Sequence, residues 1–262
     1  MTDDKRGSEV AGFERWMTLA FGRERDDAFT DPIDVRLHRR LGELYLGRRD
    51  WKRASNQLRL ARLAAPRDIY VLRPLGQAYM THYLDSDSLA SAAERDELTS
   101  RIQEVLAAIE ELDPEAYVKT PDAAALRIKF ERKATRNTER AIEICERALR
   151  NNPDSYYLAD ILGQTWLELD NLGKAREAYE QAVEILDRLQ ENNVWTFATS
   201  ATANLVLGRP DRARESLAKL KRLSARPSSA ELDTVARGIR DVAGRLNLTE
   251  PDIEGLLQLL QA

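Results

Sequence analysis

The residues most often used for catalysis and metal binding are scarce in this sequence. Histidine occurs only at His38 and His82, and neither has a neighbouring cysteine or carboxylate at metal-ligand spacing. The single cysteine, Cys145, occupies a position that two similar segments of the chain fill with Leu58 and Tyr179. We therefore expect surface or packing histidines and a buried, unreactive thiol rather than a metal centre or a nucleophile.

A phosphate-binding loop is suggested by residues 172–175 (LGKA), but the motif is incomplete. Ala175 stands where the motif needs Ser or Thr, and Glu168 stands in place of its first glycine. Acidic pairs such as Glu110-Glu111 are frequent on charged helix surfaces, and without a pocket they carry little weight as acid and base. The sequence predicts no enzyme, with no catalytic residue, metal or cofactor.

The elements that position the side chains are predicted to be helices, because three segments share a pattern of helix, short turn and second helix. These segments begin at Val35, Tyr156 and Val194. In the first of them, Leu41 and Tyr45 belong to an apolar stripe with a spacing of three to four residues, typical of one buried helix face. The chain is therefore read as repeated helix pairs.

Small residues mark the place where the paired helices should meet. Gly42 has no side chain where the second helix approaches, and Ala54 on that helix permits close packing, with Leu58 filling the space beyond. Asp50 is a good N-cap for the second helix. Pro66 ends it, because proline cannot continue a helix.

This arrangement resembles the 34-residue tetratricopeptide repeat. The family pattern asks for Leu followed by Gly or Ala, then an aromatic residue, and then small, large and small residues on the second helix. Two segments supply these repeat-core residues: Leu41, Gly42, Tyr45, Ala54, Leu58, Ala61, Leu162, Gly163, Trp166, Ala175, Tyr179 and Ala182. The resemblance implies an all-α fold, a right-handed α-solenoid of about five helix pairs.

The expected units are an N-terminal segment with one short helix (1–34), tetratricopeptide-like repeats over 35–226 (35–68, 69–121, 122–155, 156–193 and 194–226) and capping helices (227–262). The second repeat is enlarged by an inserted amphipathic helix, with Asp87 or Ser88 as its N-cap. Pro74 would kink the first helix of that repeat. The terminal helices either cover the end of the array or form a contact in a homo-oligomer.

In the tetratricopeptide family the first helix of each pair lines a concave groove, and the resemblance assigns partner contacts to it. The corresponding residues here are Arg36, Arg39, Glu43, Tyr70, Arg73, Gln77, Tyr157, Asp160 and Gln164. Arginine with tyrosine suits an extended peptide with acidic groups, because a guanidinium can hold a carboxylate through two hydrogen bonds. The family members that bind the tails of chaperones hold them with Lys and Asn at fixed groove positions. One such pair of positions is occupied here by Arg39 and Glu43, which argues against a chaperone tail as the ligand.

A second resemblance covers roughly residues 35–246. The long second repeat, together with residues 141–175 and 194–213, is similar to the tetratricopeptide-type TRAF-binding regulatory region of ASK-type MAP3 kinases and its bacterial relatives. This resemblance implies a regulatory scaffold in stress or defence signalling.

Charge is distributed unevenly along a chain whose formal net charge is only −4. Basic residues crowd the first repeat and the start of the second: Arg36, Arg39, Arg40, Arg48, Arg49, Lys52, Arg53, Arg59, Arg62, Arg67 and Arg73. The inserted helix is mainly acidic. Two interpretations stay open: solvated faces that attract each other within the molecule, and a bipolar surface that steers charged partners.

The leading hypothesis is a non-catalytic scaffold or regulatory subunit that binds another protein or peptide in the groove. The alternative is RNA or DNA binding through the Arg-rich first repeat, although its aromatic residues Tyr45 and Trp51 are expected in the core. The single cysteine, the absence of a run of about 18 apolar residues and an N-terminus without a secretory apolar region predict a cytoplasmic protein.

Overall fold

The computed structural model describes residues 32–85, 91–224 and 226–261, and within these ranges its regular secondary structure is entirely helical. The helices are α1 (Pro32–Gly47), α2 (Trp51–Ala64), α3 (Ile69–Leu84), α4 (Ala92–Leu112), α5 (Ala116–Lys119), α6 (Pro121–Lys133), α7 (Thr138–Asn151), α8 (Tyr156–Glu168), α9 (Leu172–Leu189), α10 (Val194–Val206), α11 (Pro210–Lys221), α12 (Ser229–Arg245) and α13 (Glu250–Gln261). The predicted all-α class is confirmed.

Contacts between residues divide the chain into two compact units. Unit 1 consists of Met1–Tyr117 and Asp122–Arg136, and unit 2 consists of Val118–Pro121 and Asn137–Ala262. In unit 1, α2 packs against α1 and α3, and α3 packs against α4. In unit 2, α9 packs against α8 and α10, and α10 packs against α11. The helices in these two sets therefore contact their neighbours in sequence, and the predicted tetratricopeptide-like pairing is confirmed for them at the level of the fold.

A glycine on the first helix lets the second helix approach closely in both well-matched pairs. A Cβ atom on Gly42 would lie 2.5 Å from Cγ of Leu58, and one on Gly163 would lie 2.6 Å from the ring of Tyr179. Leu58 and Tyr179 are fully buried, so neither side chain has free space into which it could turn. Only glycine fits at these two points without displacing a neighbour.

The repeat-core residues named from the sequence lie in the interior, with one exception. All of them are buried apart from Trp166, which is half-buried. The Lys174 ammonium lies 4.1 Å from the centroid of the Trp166 ring, a cation–π contact that covers its outer face. In unit 2, Ala175 and Tyr179 belong to an apolar cluster that extends to α12 and α13.

The residue before the N-cap has a left-handed backbone conformation at four connections between helices. Its φ is 60° at Arg49, 58° at Arg136, 55° at Asp170 and 70° at Gly208. The residue that follows is the N-cap of the next helix. In three cases its side chain accepts a hydrogen bond from a backbone N–H, as predicted for Asp50; the others are Asn137 and Asn171. The connection between α6 and α7 therefore shares the positive φ and a capping asparagine, although it is one residue longer: α6 ends at Lys133, four residues before Asn137, whereas α1 ends three residues before Asp50.

The inserted helix begins later than predicted. Ser91 is the N-cap of α4, and its hydroxyl oxygen accepts a hydrogen bond from the backbone N–H of Glu94 at 3.2 Å. The predicted caps were therefore wrong, and Asp87 and Ser88 themselves lie outside the described residues. Asp and Ser are almost equally good N-caps. The local sequence therefore could not distinguish Asp87, Ser88 and Ser91, which lie within five positions of one another.

Pro74 lies inside α3, and the helix runs through it to Leu84. A proline has no N–H and its ring excludes the carbonyl oxygen four residues earlier from a helical hydrogen bond. That carbonyl belongs to Tyr70, the second residue of the helix. The helix therefore continues past the proline with one hydrogen bond fewer in its first half.

The two C-terminal helices cover the apolar cluster of unit 2. The buried residues of α13 face that cluster: Ile253, Leu256, Leu257 and Leu260. The exposed positions of the same helix include Asp252, Glu254 and Gln258. The helix is therefore amphipathic, with its apolar face on the cluster.

The close contact at Gly42 generates a test of helix packing. We expect Gly42→Ala to lower the free energy of unfolding by about 1 kcal/mol, because crowding of about 1–3 kcal/mol exceeds a helix-propensity gain of about 1 kcal/mol. Gly47→Ala is the matched control in the same helix, where an added Cβ meets nothing within 4 Å. Urea denaturation followed by circular dichroism measures both, and equal effects would contradict the contact.

Candidate functional site

The first helices of the pairs in unit 1 form a pocket of about 340 Å³. Its lining residues are Arg39, Glu43, Leu46, Tyr70, Arg73, Pro74, Gln77 and Asp122. They come from α1, α3 and the first turn of α6. Five of the groove residues predicted from the sequence therefore meet in one place. Arg36 is exposed but does not line the pocket.

Helical periodicity explains why these side chains share a face. Arg39 and Glu43 are four residues apart on α1, and Tyr70, Arg73 and Gln77 follow at intervals of three and four on α3. Residues with this spacing lie above one another on one side of a helix. The same period that buries the apolar stripe of each helix thus presents the polar stripe to the pocket.

Arg39 is held between a carboxylate of its own helix and an aromatic ring of the next first helix. Its Nε lies 3.6 Å from Oε1 of Glu43, and its guanidinium carbon lies 5.9 Å from the centroid of the Tyr70 ring. Glu43 also lies 3.7 Å from the guanidinium of Arg40. The acidic group of Glu43 is therefore shared between two arginines, and Tyr70 offers a flat surface beside one of them.

Arg73 is paired across helices rather than within one. Its Nη2 donates a hydrogen bond to Oδ2 of Asp122 at 3.0 Å, which connects α3 to α6. Nε of Arg73 and Nε of Arg39 are both buried, and neither has a hydrogen-bond acceptor among the described residues. Each guanidinium group thus has one unused donor, which is enclosed in this arrangement.

The three groove residues predicted in unit 2 lie together on α8. Gln164 donates a hydrogen bond from Nε2 to Oδ2 of Asp160 at 2.9 Å, and Asp160 is only 9% exposed. Tyr157 is half-buried on the same helix. Asp160 holds the repeat position that Arg39 and Arg73 hold in unit 1, so the equivalent position changes from positive to negative between the units.

Trp195 is an exposed aromatic residue that the sequence analysis did not assign to the groove. It is the second residue of α10 and 46% exposed. Tyr70 and Tyr157 are the second residues of α3 and α8. The three aromatic side chains therefore share one position in the repeat, and extending the register to the fifth repeat would have identified Trp195.

Two tyrosines on the first helices stay protonated near neutral pH. Burial is the largest cause that raises the pKa of Tyr156, and the carboxylate of Glu191 raises it further. Burial also raises the pKa of Tyr79, against the opposing effect of Arg101 and other nearby arginines. Their phenols are therefore neutral hydrogen-bonding groups rather than sources of negative charge.

The histidines and the cysteine are packing residues. His38 is buried, and its Nδ1 lies 2.7 Å from Oε1 of Gln57. Cys145 is buried and donates to the carbonyl oxygen of Leu158 at 3.3 Å. In the described part of the chain, no three His, Cys, Asp or Glu side chains come together as a metal site would require. None of the described helices combines the length and apolar character needed to cross a membrane.

The aromatic residues of the Arg-rich first repeat are not available for base stacking. Tyr45 and Trp51 are 2% and 6% exposed, and the indole N–H of Trp51 donates to Asp85 at 2.7 Å. An arginine of this repeat, Arg67, pairs with Glu111 of the acidic inserted helix. These contacts support attraction between faces within the molecule and weaken the nucleic-acid alternative.

No protein-family model matches the chain, and no curated protein sequence matches it. Among solved structures it is similar to a thermophilic TPR protein of Thermus thermophilus, with 22% identity, 82% of this chain and 100% of that chain covered, and a TM-score of 0.47. It is also similar to the MamA protein, with 19% identity, 72% and 91% covered, and a TM-score of 0.41. The TPR2AB domain of yeast Sti1, in its pHSP90 complex, has 14% identity, 100% and 94% covered, and a TM-score of 0.30.

The pairing of Arg73 with Asp122 generates a test of the pocket. The side chains are 28% and 65% exposed, so water screens the charges and their coupling should be only about 0.2–1 kcal/mol. A double-mutant cycle with Arg73→Ala and Asp122→Ala, measured by urea denaturation, gives this energy. The Arg67–Glu111 pair, more exposed on both sides, is the control and should show a smaller coupling. A coupling above about 2 kcal/mol would show that the Arg73–Asp122 pair mainly stabilises the fold.

Proposed function

We propose that this chain is a non-catalytic interaction scaffold that holds an extended segment of a partner protein on the first-helix face of unit 1. The observation that supports it is the pocket in which Arg39 and Arg73 flank the exposed ring of Tyr70. A guanidinium binds planar acidic groups in a defined geometry, and a tyrosine contributes contact area with little loss of side-chain entropy. The partner segment is therefore proposed to carry carboxylates beside apolar residues.

The pocket suits a segment better than a small molecule. It is lined mostly by polar side chains, and Leu46 and Pro74 are its aliphatic members. Sites for small ligands are mainly apolar and enclose most of the ligand. An extended chain can instead place one acidic side chain in the pocket and continue along the helices.

Unit 2 is proposed to make a second contact of different chemistry. Its first helices present the half-buried Tyr157 and the exposed Trp195. Aromatic anchors of this kind dominate the affinity of many protein interfaces. A partner segment for unit 2 would therefore need apolar groups rather than the acidic groups proposed for unit 1.

The finer form of the proposal is a regulatory subunit in stress or defence signalling in the cytoplasm. It is supported by the resemblance of residues 35–246 to regulatory regions of ASK-type kinases. This form adds a regulatory role to the scaffold and leaves the proposed partner contact on the first-helix face unchanged. The terminal helices are proposed to serve as a cap.

A charge reversal in the pocket tests this proposal. Wild type and Arg39→Glu/Arg73→Glu are used as baits, and recovered proteins are identified by mass spectrometry. Arg188→Glu/Arg214→Glu is the matched control, because it changes the net charge equally at two exposed, aspartate-paired arginines of unit 2. We expect a partner that wild type and control retain and the pocket variant loses by at least about tenfold, which corresponds to about 1.4 kcal/mol.

Partners recovered equally by all three baits would exclude the pocket from the interaction. Recovery of nucleic acid instead, with an affinity that falls steeply with salt, would favour the alternative function. Circular dichroism of the three baits should be identical, because the reversed side chains are partly or fully exposed and none belongs to the apolar interior.

A further inference from the structure

We infer that Asp122 is an internal competitor in the pocket, which a carboxylate of the partner displaces from Arg73. The inference rests on the proposed function, because it needs an acidic segment to enter this pocket. It makes Asp122 a specificity-determining residue that no helix-pair consensus assigns.

The two arginines of the pocket are neutralised in different ways. Glu43 is on the same helix as Arg39, lies 3.6 Å from it and also faces Arg40. Asp122 reaches Arg73 from another helix, 49 residues later in the sequence, through one hydrogen bond of 3.0 Å. Asp122 is the more exposed member of its pair, at 65%. Exposed pairs of this kind contribute little net stability, so exchange of the carboxylate is feasible.

Asp122 has a second favourable environment, which lowers the cost of its release. It lies in the first turn of α6, directly after Pro121, which is the first residue of that helix. The N-terminus of a helix carries partial positive charge and free N–H groups, and it stabilises a carboxylate there. Asp122 can therefore leave Arg73 without becoming an uncompensated charge.

An incoming carboxylate can form more hydrogen bonds than Asp122 does. Asp122 accepts from Nη2 of Arg73, whereas Nε of the same guanidinium is buried and has no acceptor among the described residues. A carboxylate seated side-on to a guanidinium accepts from Nε and one Nη together, which is the strong bidentate arrangement. Nε is enclosed while Asp122 is in place, so a carboxylate can reach it only if the displacement of Asp122 opens that side of the guanidinium. The exchange would then replace one hydrogen bond by two. The Tyr70 ring lines the same pocket and can hold a neighbouring apolar group.

Asp122 would also limit which acidic segments can bind in the pocket. The pocket holds two guanidinium groups and two carboxylates, so it has no net charge that attracts every acidic chain. A segment must bring a well-placed carboxylate to take the place of Asp122. Removing that carboxylate should leave Arg73 unpaired and make the pocket more permissive.

Fluorescence anisotropy with defined probes tests the inference. The first probe is a fluorescein-labelled octapeptide with two central glutamates, two flanking leucines and an amidated C-terminus. The second has glutamines in place of the glutamates, and the third combines the glutamines with a free C-terminal carboxylate. The wild-type chain is compared with Asp122→Asn and with Asp211→Asn, the matched control, because Asp211 also follows a proline at the start of a helix and pairs with an arginine.

We expect Asp122→Asn to bind the glutamate probe about three to ten times more tightly than wild type, because neutralising Asp122 frees Arg73 and removes a repulsive charge. Asp211→Asn should match wild type, and the glutamine probe should not distinguish the proteins. If Asp122→Asn binds only the probe with the free C-terminal carboxylate more tightly than wild type does, the ligand is a C-terminal carboxylate. If it binds only the glutamate probe more tightly, the ligand is a side-chain carboxylate. Either result supports the exchange.

Equal or weaker binding of both acidic probes by Asp122→Asn, with wild type binding them, would overturn the inference and leave the proposed function standing. Failure of every protein to bind any probe would overturn both. Binding by Asp122→Asn alone would support the competitor. Asp122→Ser, which keeps a residue favoured at helix starts, replaces Asp122→Asn if that variant shows a lowered thermal midpoint.

Discussion

Gly42 and Gly163 bring the first helix of a pair onto the side chains of Leu58 and Tyr179, and the geometry of each pair depends on this contact. A methyl group at either glycine would overlap a fully buried side chain. Because the helices meet there, the remaining apolar residues of both stripes are buried as well. The opposite stripe of each first helix is left on the surface, and every candidate partner contact lies on that stripe.

The pocket of unit 1 follows from two first helices placed side by side. Helical periodicity places Arg39 and Glu43 on one face of α1, and Tyr70, Arg73 and Gln77 on one face of α3. These two faces line the pocket, which therefore needs no side chain from a loop between helices. Its chemistry is balanced rather than simply basic, since each guanidinium has a carboxylate partner. On α8 of unit 2 the same two positions are held by Tyr157 and Asp160, so the aromatic residue is kept and an acidic residue replaces arginine. A shared scaffold thus carries different recognition surfaces.

A left-handed residue before the N-cap is found in connections whose sequences differ. Arg49, Arg136 and Asp170 all adopt a left-handed conformation that Gly208 adopts without steric cost. The N-cap that follows satisfies the first N–H groups of the next helix and offsets part of that strain. The connection before α7 has the left-handed residue and the capping asparagine even though its flanking helix lacks the Leu-Gly pair, because a cap is specified by fewer residues than helix packing.

The helices, their pairing and the polar stripe that carries Arg39 and Arg73 could be predicted from the amino-acid sequence. Helical period, N-caps and the absence of a side chain at glycine are local properties, and a few residues specify each of them. The packed structure was needed to show that Asp122 meets Arg73, that Ser91 starts the inserted helix, and that Trp51 donates to Asp85. Such contacts join residues of separate helices or choose among equivalent caps, and they depend on how helices pack rather than on any local pattern.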